Sequence, residues 1–131
     1  MNIRLPFRLV CALALASILT ALPAVPSLAH HGWSWTDEEI FELEGAITEI
    51  YVGNPHATLD VDVAGEIWRV ELAPPSQTVR AGFSEEAARP GDTVKAVGNR
   101  SRDHSERRMK AVRIIVNGTT YDVYPNRVPS Q

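Results

Sequence analysis

Four histidines hold most of the chemistry available to this chain of 131 residues: His30 and His31 side by side, His56 behind Asn54-Pro55, and His104 behind Arg102-Asp103. A neutral imidazole is both a metal ligand and a base, and its reference pKa of about 6.5 lets it change charge near neutral pH. Carboxylates are the second candidate class. Asp60 and Asp62 lie two apart among alternating apolar residues, which places both on the outer face of one strand and reads as a solvated surface. Ser76, Ser84 and Ser101 have no base beside them and read as cap or loop residues. From Asn99 to Lys110 the chain concentrates Arg100, Arg102, Arg107, Arg108 and Lys110 against Asp103 and Glu106. That basic patch on an acidic protein suits an anionic ligand, lipid headgroups or an acidic partner.

The context of His30 decides what it can do. Residues 1–29 contain no acidic residue. They carry Arg4 and Arg8 before an apolar run from Leu9 to Val25, then end in Ser27-Leu28-Ala29. Basic start, apolar middle and small residues before a cleavage point form the pattern of a secretory signal peptide. Cleavage after Ala29 places the mature chain in the bacterial periplasm or outside the cell and makes His30 its first residue. A terminal His joins an α-amine, reference pKa about 7.7–8.0, to a ring nitrogen on one residue. Removal of the leader takes away two of the 13 basic residues and none of the 16 acidic ones, so the net charge falls from −3 to −5. It also removes Cys11, the only cysteine. Disulfides and Cys-ligated zinc or iron–sulfur sites are therefore excluded from the mature chain. An acidic exported protein argues against nucleic acid as partner, and the mature chain has no second apolar run long enough to span a membrane.

The elements that must position these groups read as all-β with one short helix. Residues 30–40 form an N-terminal segment in which Trp33 and Trp35 can pack the terminus onto the domain, and Thr36 suits a cap before Asp37-Glu38-Glu39. Phe41 to Val52 is a long strand whose apolar phase shifts between Ile47 and Ile50, the sign of a bulge, with Gly45 as a bend. Gly53-Asn54-Pro55-His56 is a turn. Ala57, Leu59, Val61 and Val63, then Trp68, Val70 and Leu72, alternate as a hairpin about Gly65. Ser76 can cap a short helix ended by Gly82, and Ser84-Glu85-Glu86 suits one further turn. Thr93 to Gly98 and Met109 to Val116 are two more strands, with Val112, Ile114 and Val116 on one face and the polar stretch 99–108 between them as a loop. Asn117-Gly118 is a hairpin signal, and Pro125 and Pro129 mark a loose tail. Strand, strand, strand, helix, strand, strand suits a small OB-like five-stranded antiparallel barrel over residues 41–124, followed by a tail at 125–131. An open β-sandwich is the alternative.

Taken as a set, His30-His31, Gly45-Ala46-Ile47-Thr48-Glu49, Asn54-Pro55-His56-Ala57, Trp68-Arg69-Val70-Glu71-Leu72, Arg89-Pro90-Gly91-Asp92 and Ser101-Arg102-Asp103 resemble a family of small exported bacterial proteins of unknown function. Its members start the mature chain with His-His and carry an Asn-Pro-His turn. The resemblance spans most of residues 29–118. It implies export and a small β-rich domain and supplies no mechanism. His104 stands where many relatives have Gly after the Arg-Asp pair, which makes it a weaker candidate than His56.

Two functions follow from these residues. The first is a periplasmic binding protein holding a transition-metal ion through His30, His56 and His31 for carriage or sequestration. An all-nitrogen set without thiolate, in an exported chain whose only mature Met is Met109, favours Cu(II) over Cu(I). The second is a metal-free module that holds a protein partner or small anion. Asn54, Arg102, Asp103 and His104 would line its face, with the turn at 54–56 and the loop of His104 expected on the same side of the barrel. A copper oxidase-type enzyme built on the terminal His chelate ranks below both, because the sequence offers it no further acid–base group.

Overall fold

The computed structural model describes residues 32–130. The leader expected at 1–29, and His30 and His31 behind it, lie outside the described residues. Six strands follow in the order β1 (Phe41–Tyr51), β2 (Thr58–Val63), β3 (Glu66–Glu71), β4 (Thr93–Arg100), β5 (Arg108–Val116) and β6 (Thr119–Asp122). One helix, α1 (Pro75–Arg80), lies between β3 and β4, and a 3-10 turn at Pro125–Arg127 closes the chain. The sheet order is β3-β2-β1-β4-β5-β6, and β3 also pairs with β5 in parallel. That pairing rolls the first five strands into a closed barrel of OB-like topology.

β1 can serve both halves of the barrel because it bends. Its first half pairs with β4 and its second with β2, and the β1–β2 register slips between Ile47 and Glu49, where the apolar phase changes in the sequence. At the bend, a Cβ on Gly45 would collide with the Asp62 carbonyl oxygen, so only glycine lets the two strands approach there. The Asn117-Gly118 turn joins β5 to β6 with both residues at positive φ.

The interior is filled by the period-two residues. Leu59 and Val61 on β2, Trp68 and Val70 on β3 with Leu72 beyond it, and Met109, Ala111, Ile114 and Val116 on β5 are buried together with Phe83, while Val63 is half-covered. Outward residues of the same strands pair across the surface, as Asp60 does with Arg69, so the solvated reading of that strand face holds.

Four local expectations change. α1 begins at Pro75 with Pro74 in the cap position and no side-chain cap, so Ser76 is inside the first turn. Proline suits that place because its missing N–H would have no partner there. The Ser84 carbonyl accepts from the Ala87 amide in a turn that does not extend into a helix. A register slip between Val97 and Gly98 leaves Val112 as the extra residue of a bulge in β5, so Val112 is buried outside the main core while Ala111 and Ile114 point inward. The tail is docked along its first residues: the Tyr124 amide donates to the Val112 carbonyl, and Arg127 lies over the Trp33 ring.

Candidate functional site

The histidine-bearing loops sit at opposite ends of β1. Phe41 pairs with Gly98, so the loop 101–107 abuts the start of β1, whereas Tyr51 pairs with Thr58, so the turn at 54–56 abuts its end. The expectation that both loops frame one side of the barrel is therefore corrected. β1 and β4 are antiparallel, and each loop leaves its strand in the opposite direction.

A segment spanning residues 32–39 lies as a strap from the loop at the first end to Lys110 on β5. Near the first end, Thr36 bridges Ser101: the Asp37 amide donates to the Arg100 carbonyl and the Arg102 amide to the Trp35 carbonyl. Thr36 thus extends the β4 edge and caps no helix; its hydroxyl donates to the Trp33 carbonyl. Arg102 Nε donates to the Thr36 carbonyl at 2.8 Å, and Asn99 Nδ2 donates to the carbonyls of Glu38 and Glu39. His104 Nε2 lies 2.6 Å from Asp37 Oδ2. Going back along the chain from Thr36, the strap climbs β5. Trp35 lies under the Arg108 guanidinium at 4.0 Å, Trp33 lies beside Lys110 at 4.9 Å, and Lys110 Nζ donates to the Gly32 carbonyl.

Cations on aromatic faces hold this strap. Trp33 also carries Arg127 at 4.3 Å and meets Tyr124 edge-on at 5.1 Å. Such contacts are worth about 0.5–2 kcal/mol each, more where water is excluded. Lys110 is 2% exposed. Burial pushes its ammonium below the ordinary lysine range, against the pull of Glu71, and burial likewise raises the Tyr124 hydroxyl.

The ladder register shows where the strap arrives. Lys110 on β5 is level with Glu71 on β3, and Glu71 with Thr58 on β2, two residues from the half-buried His56. Asn54-Pro55 is a cis peptide, Asn54 is exposed, and its carbonyl accepts from the Tyr51 hydroxyl. The candidate residues thus fall into two groups. Arg102, Asp103 and His104 sit together where the strap is tied down, and Asn54 and His56 sit at the other end. Asp103 is engaged by the Ser105 hydroxyl and amide, which hold its carboxyl below the usual range.

At the tied end, a cavity of about 320 Å³ is lined by Trp33, Thr36, Asp37, Glu38, Asn99, Arg102 and Arg127. Neither Arg102 nor Arg127 has a carboxylate partner among the described residues. Sequence reasoning finds Trp33 and Trp35 as packing residues. It places Lys110 in a basic surface patch, whereas Lys110 is buried, and it misses Glu71 and Arg127; a lysine between Met109 and Ala111 of a buried strand is a readable signal. Among the described residues, no helix is long and apolar enough to cross a membrane.

The chain belongs to a family of unknown function, DUF6152, whose model matches residues 18–110. No curated protein matches it. Among solved structures, it is similar to a chain of the S. pombe Stn1-Ten1 complex, at 23% identity and TM-score 0.48, over 66% of this chain and 60% of that one. It is also similar to TiaS in a complex with a tRNA, AMPCPP and agmatine, at 19% identity and TM-score 0.46, over 60% of this chain and 18% of that one. A third similarity is to the ZRD-deleted mutant of TiaS in complex with agmatine, at 18% identity and TM-score 0.48, over 65% of this chain and 26% of that one. The chain spans less than two thirds of the length of each.

Proposed function

From membership of that family and an OB-like barrel, we propose that the mature chain is an exported binding protein that holds Cu(II) through His30, His56 and His31 for carriage or sequestration. Among the described residues, no three His, Cys, Asp or Glu side chains form a metal-holding group, so the donor set must draw on the two histidines before Gly32. The course of the strap carries the reading. It brings Gly32 to Lys110, on the row that leads through Glu71 and Thr58 toward His56. Two residues reach about 7 Å when extended, and neighbouring strands are about 4.8 Å apart, so residues 30–31 can extend from Lys110 toward His56, which lies two strands across and two residues beyond Thr58. Imidazole and amine nitrogens suit Cu(II). Each must be deprotonated, so binding weakens as pH falls through about 6.5.

Copper titration tests this on three proteins: the processed chain beginning at His30, the same chain with one residue added before His30, and His56→Ala. The extension moves the amine away and spares all three imidazoles. Affinity should fall in both altered proteins and by more than in His104→Ala. Equal affinity throughout would remove the metal reading.

A second reading has its own support. Arg102 and Arg127 face the cavity beside Trp33 without carboxylate partners among the described residues. Two fixed guanidinium groups suit the oxygens of a small anion or an acidic periplasmic protein. Arg102→Ala and Arg127→Ala would weaken such binding and leave copper affinity unchanged.

A further inference from the structure

We infer that the cavity where the strap is tied down is a site for a small zwitterion, a free α-amino acid with a short side chain; the assignment deepens the second reading above and rests on it. The lining carries both signs of charge. Arg102 and Arg127 share it with Asp37, Glu38 and Asn99. A purely anionic ligand is drawn to the two guanidinium groups and repelled by the two carboxylates. A ligand with one carboxylate and one ammonium suits all four.

The polar groups are held by contacts that leave part of each open. Arg102 uses Nε on the Thr36 carbonyl, and its terminal nitrogens donate to nothing among the described residues. Arg127 rests over the Trp33 ring at 4.3 Å, with no carboxylate partner among the described residues. Guanidinium groups are donors only, and together these two suit the oxygens of a carboxylate. Asn99 Nδ2 donates to the Glu38 and Glu39 carbonyls at 3.2 and 3.0 Å. That fixes the amide and leaves Oδ1 as an acceptor, which with the Glu38 carboxylate suits the three donors of an ammonium. Asp37 adds negative charge but less freedom, because its Oδ2 is bonded to His104.

Size and polarity narrow the ligand further. The cavity of about 320 Å³ stands at the small end of the range of about 300–1,000 Å³ for ligand pockets. Trp33 is the one large apolar side chain in the lining, and its ring already meets Arg127 and Lys110. The lining offers no apolar subsite for a long side chain, so glycine, alanine and serine fit it better than leucine.

The test is an NMR titration of the processed protein with three probes of one shape. L-alanine carries both charges, L-lactate has a hydroxyl in place of the ammonium, and L-alaninol a hydroxymethyl in place of the carboxylate. Glycine and L-serine extend the first probe, L-leucine tests size, and inorganic phosphate is the bare anion. The Asn99 side-chain amide, the Trp33 indole and the Arg102 amide report the cavity. L-alanine should shift all three saturably, and L-lactate, L-alaninol, L-leucine and phosphate should bind about tenfold less tightly or worse. Arg102→Gln should weaken L-alanine and L-lactate by about tenfold and spare L-alaninol. Glu38→Gln, an exposed change, should weaken L-alanine by about threefold and spare L-lactate. Circular dichroism checks each variant for a folded barrel, and a damaged cavity would lower all three probes together. If L-lactate or phosphate binds as tightly as L-alanine, the zwitterion assignment is overturned and the small-anion reading stands. Equal binding of L-alaninol overturns both, and equal binding of L-leucine overturns the limit to short side chains. If glycine, L-alanine and L-serine all leave the three signals unmoved, the assignment is wrong; if L-lactate and phosphate fail as well, the small-anion reading falls with it.

Discussion

Inside the barrel, Leu59, Val61, Val70 and Ile114 meet only other apolar side chains, and none is exposed. Along the strap, Trp33, Trp35, Arg108, Lys110 and Arg127 meet as rings and cations, tied at intervals by main-chain hydrogen bonds. Burial in the first region is proportional to area and is lost wherever a cavity opens. Contacts in the second are individually modest and depend on charge. The barrel should therefore unfold as a unit, while the strap can open locally over it.

The largest effect should come from the interior. Trp68 is 7% exposed and stacks on Phe41 at 5.1 Å between ring centroids. Trp68→Ala should cost about 3–5 kcal/mol in chemical denaturation. A loss under about 1 kcal/mol would make it a surface contact and blur the distinction between the two regions.

Trp33→Ala comes next, at about 1–2 kcal/mol, because it removes two cation contacts and an edge contact with Tyr124. Hydrogen exchange gives the sharper readout. The amides of Asp37 and Arg102 should exchange faster and that of Ala57 should not. Uniform acceleration would show that strap and barrel are one cooperative unit.

Lys110→Met separates burial from charge at the place where the strap covers a cation. Burial lowers the folded-state pKa of Lys110 below its ordinary value of 10.5, so the folded protein holds that proton less tightly than the unfolded chain. The penalty is full at low and neutral pH. It is relieved as pH rises through the folded value toward the ordinary one, where the unfolded chain also deprotonates. Wild-type stability should gain over that window and Lys110→Met should not. At neutral pH the variant should be more stable by on the order of 1 kcal/mol.

The smallest effect belongs to Arg113 and Asp122, a partly exposed pair between β5 and β6. Arg113→Ala should cost about 0.5 kcal/mol. The Arg113 hydrogen bond lowers the Asp122 pKa, so the pair stabilises above the ordinary carboxylate value. Its contribution is lost as pH falls through the folded one. Acid unfolding of the variant should lack that increment.

The two regions also differ in how far the sequence reveals them. Alternation of Leu59, Val61, Trp68, Val70 and Leu72 identifies β2 and β3, their hairpin and their inward faces, because side-chain period is a local property. The bend at Gly45 and the phase slip before Ile50 are legible for the same reason. The strap is not. Thr36 resembles a cap until the distant Ser101 offers a strand edge, and Pro125 resembles a loose tail until Trp33 gives Arg127 a face to rest on. The bulge at Val112 depends on the partner strand in the same way. Of the site, His56 and its turn are visible in the sequence. The row of Thr58, Glu71 and Lys110, two residues from His56, exists only once β3 pairs in parallel with β5.

The central claim is the proposal that the strap delivers the expected start of the mature chain to the row of Thr58, Glu71 and Lys110, two residues from His56. Backbone NMR of the processed protein during substoichiometric Cu(II) addition tests this most directly, since the paramagnetic ion broadens nearby amides first. The account predicts early loss of the signals of His56, Thr58, Glu71 and Lys110, with the loop around Asp103 and His104 retained. Broadening centred on His104 and Asp37 instead, or none at all, would contradict it.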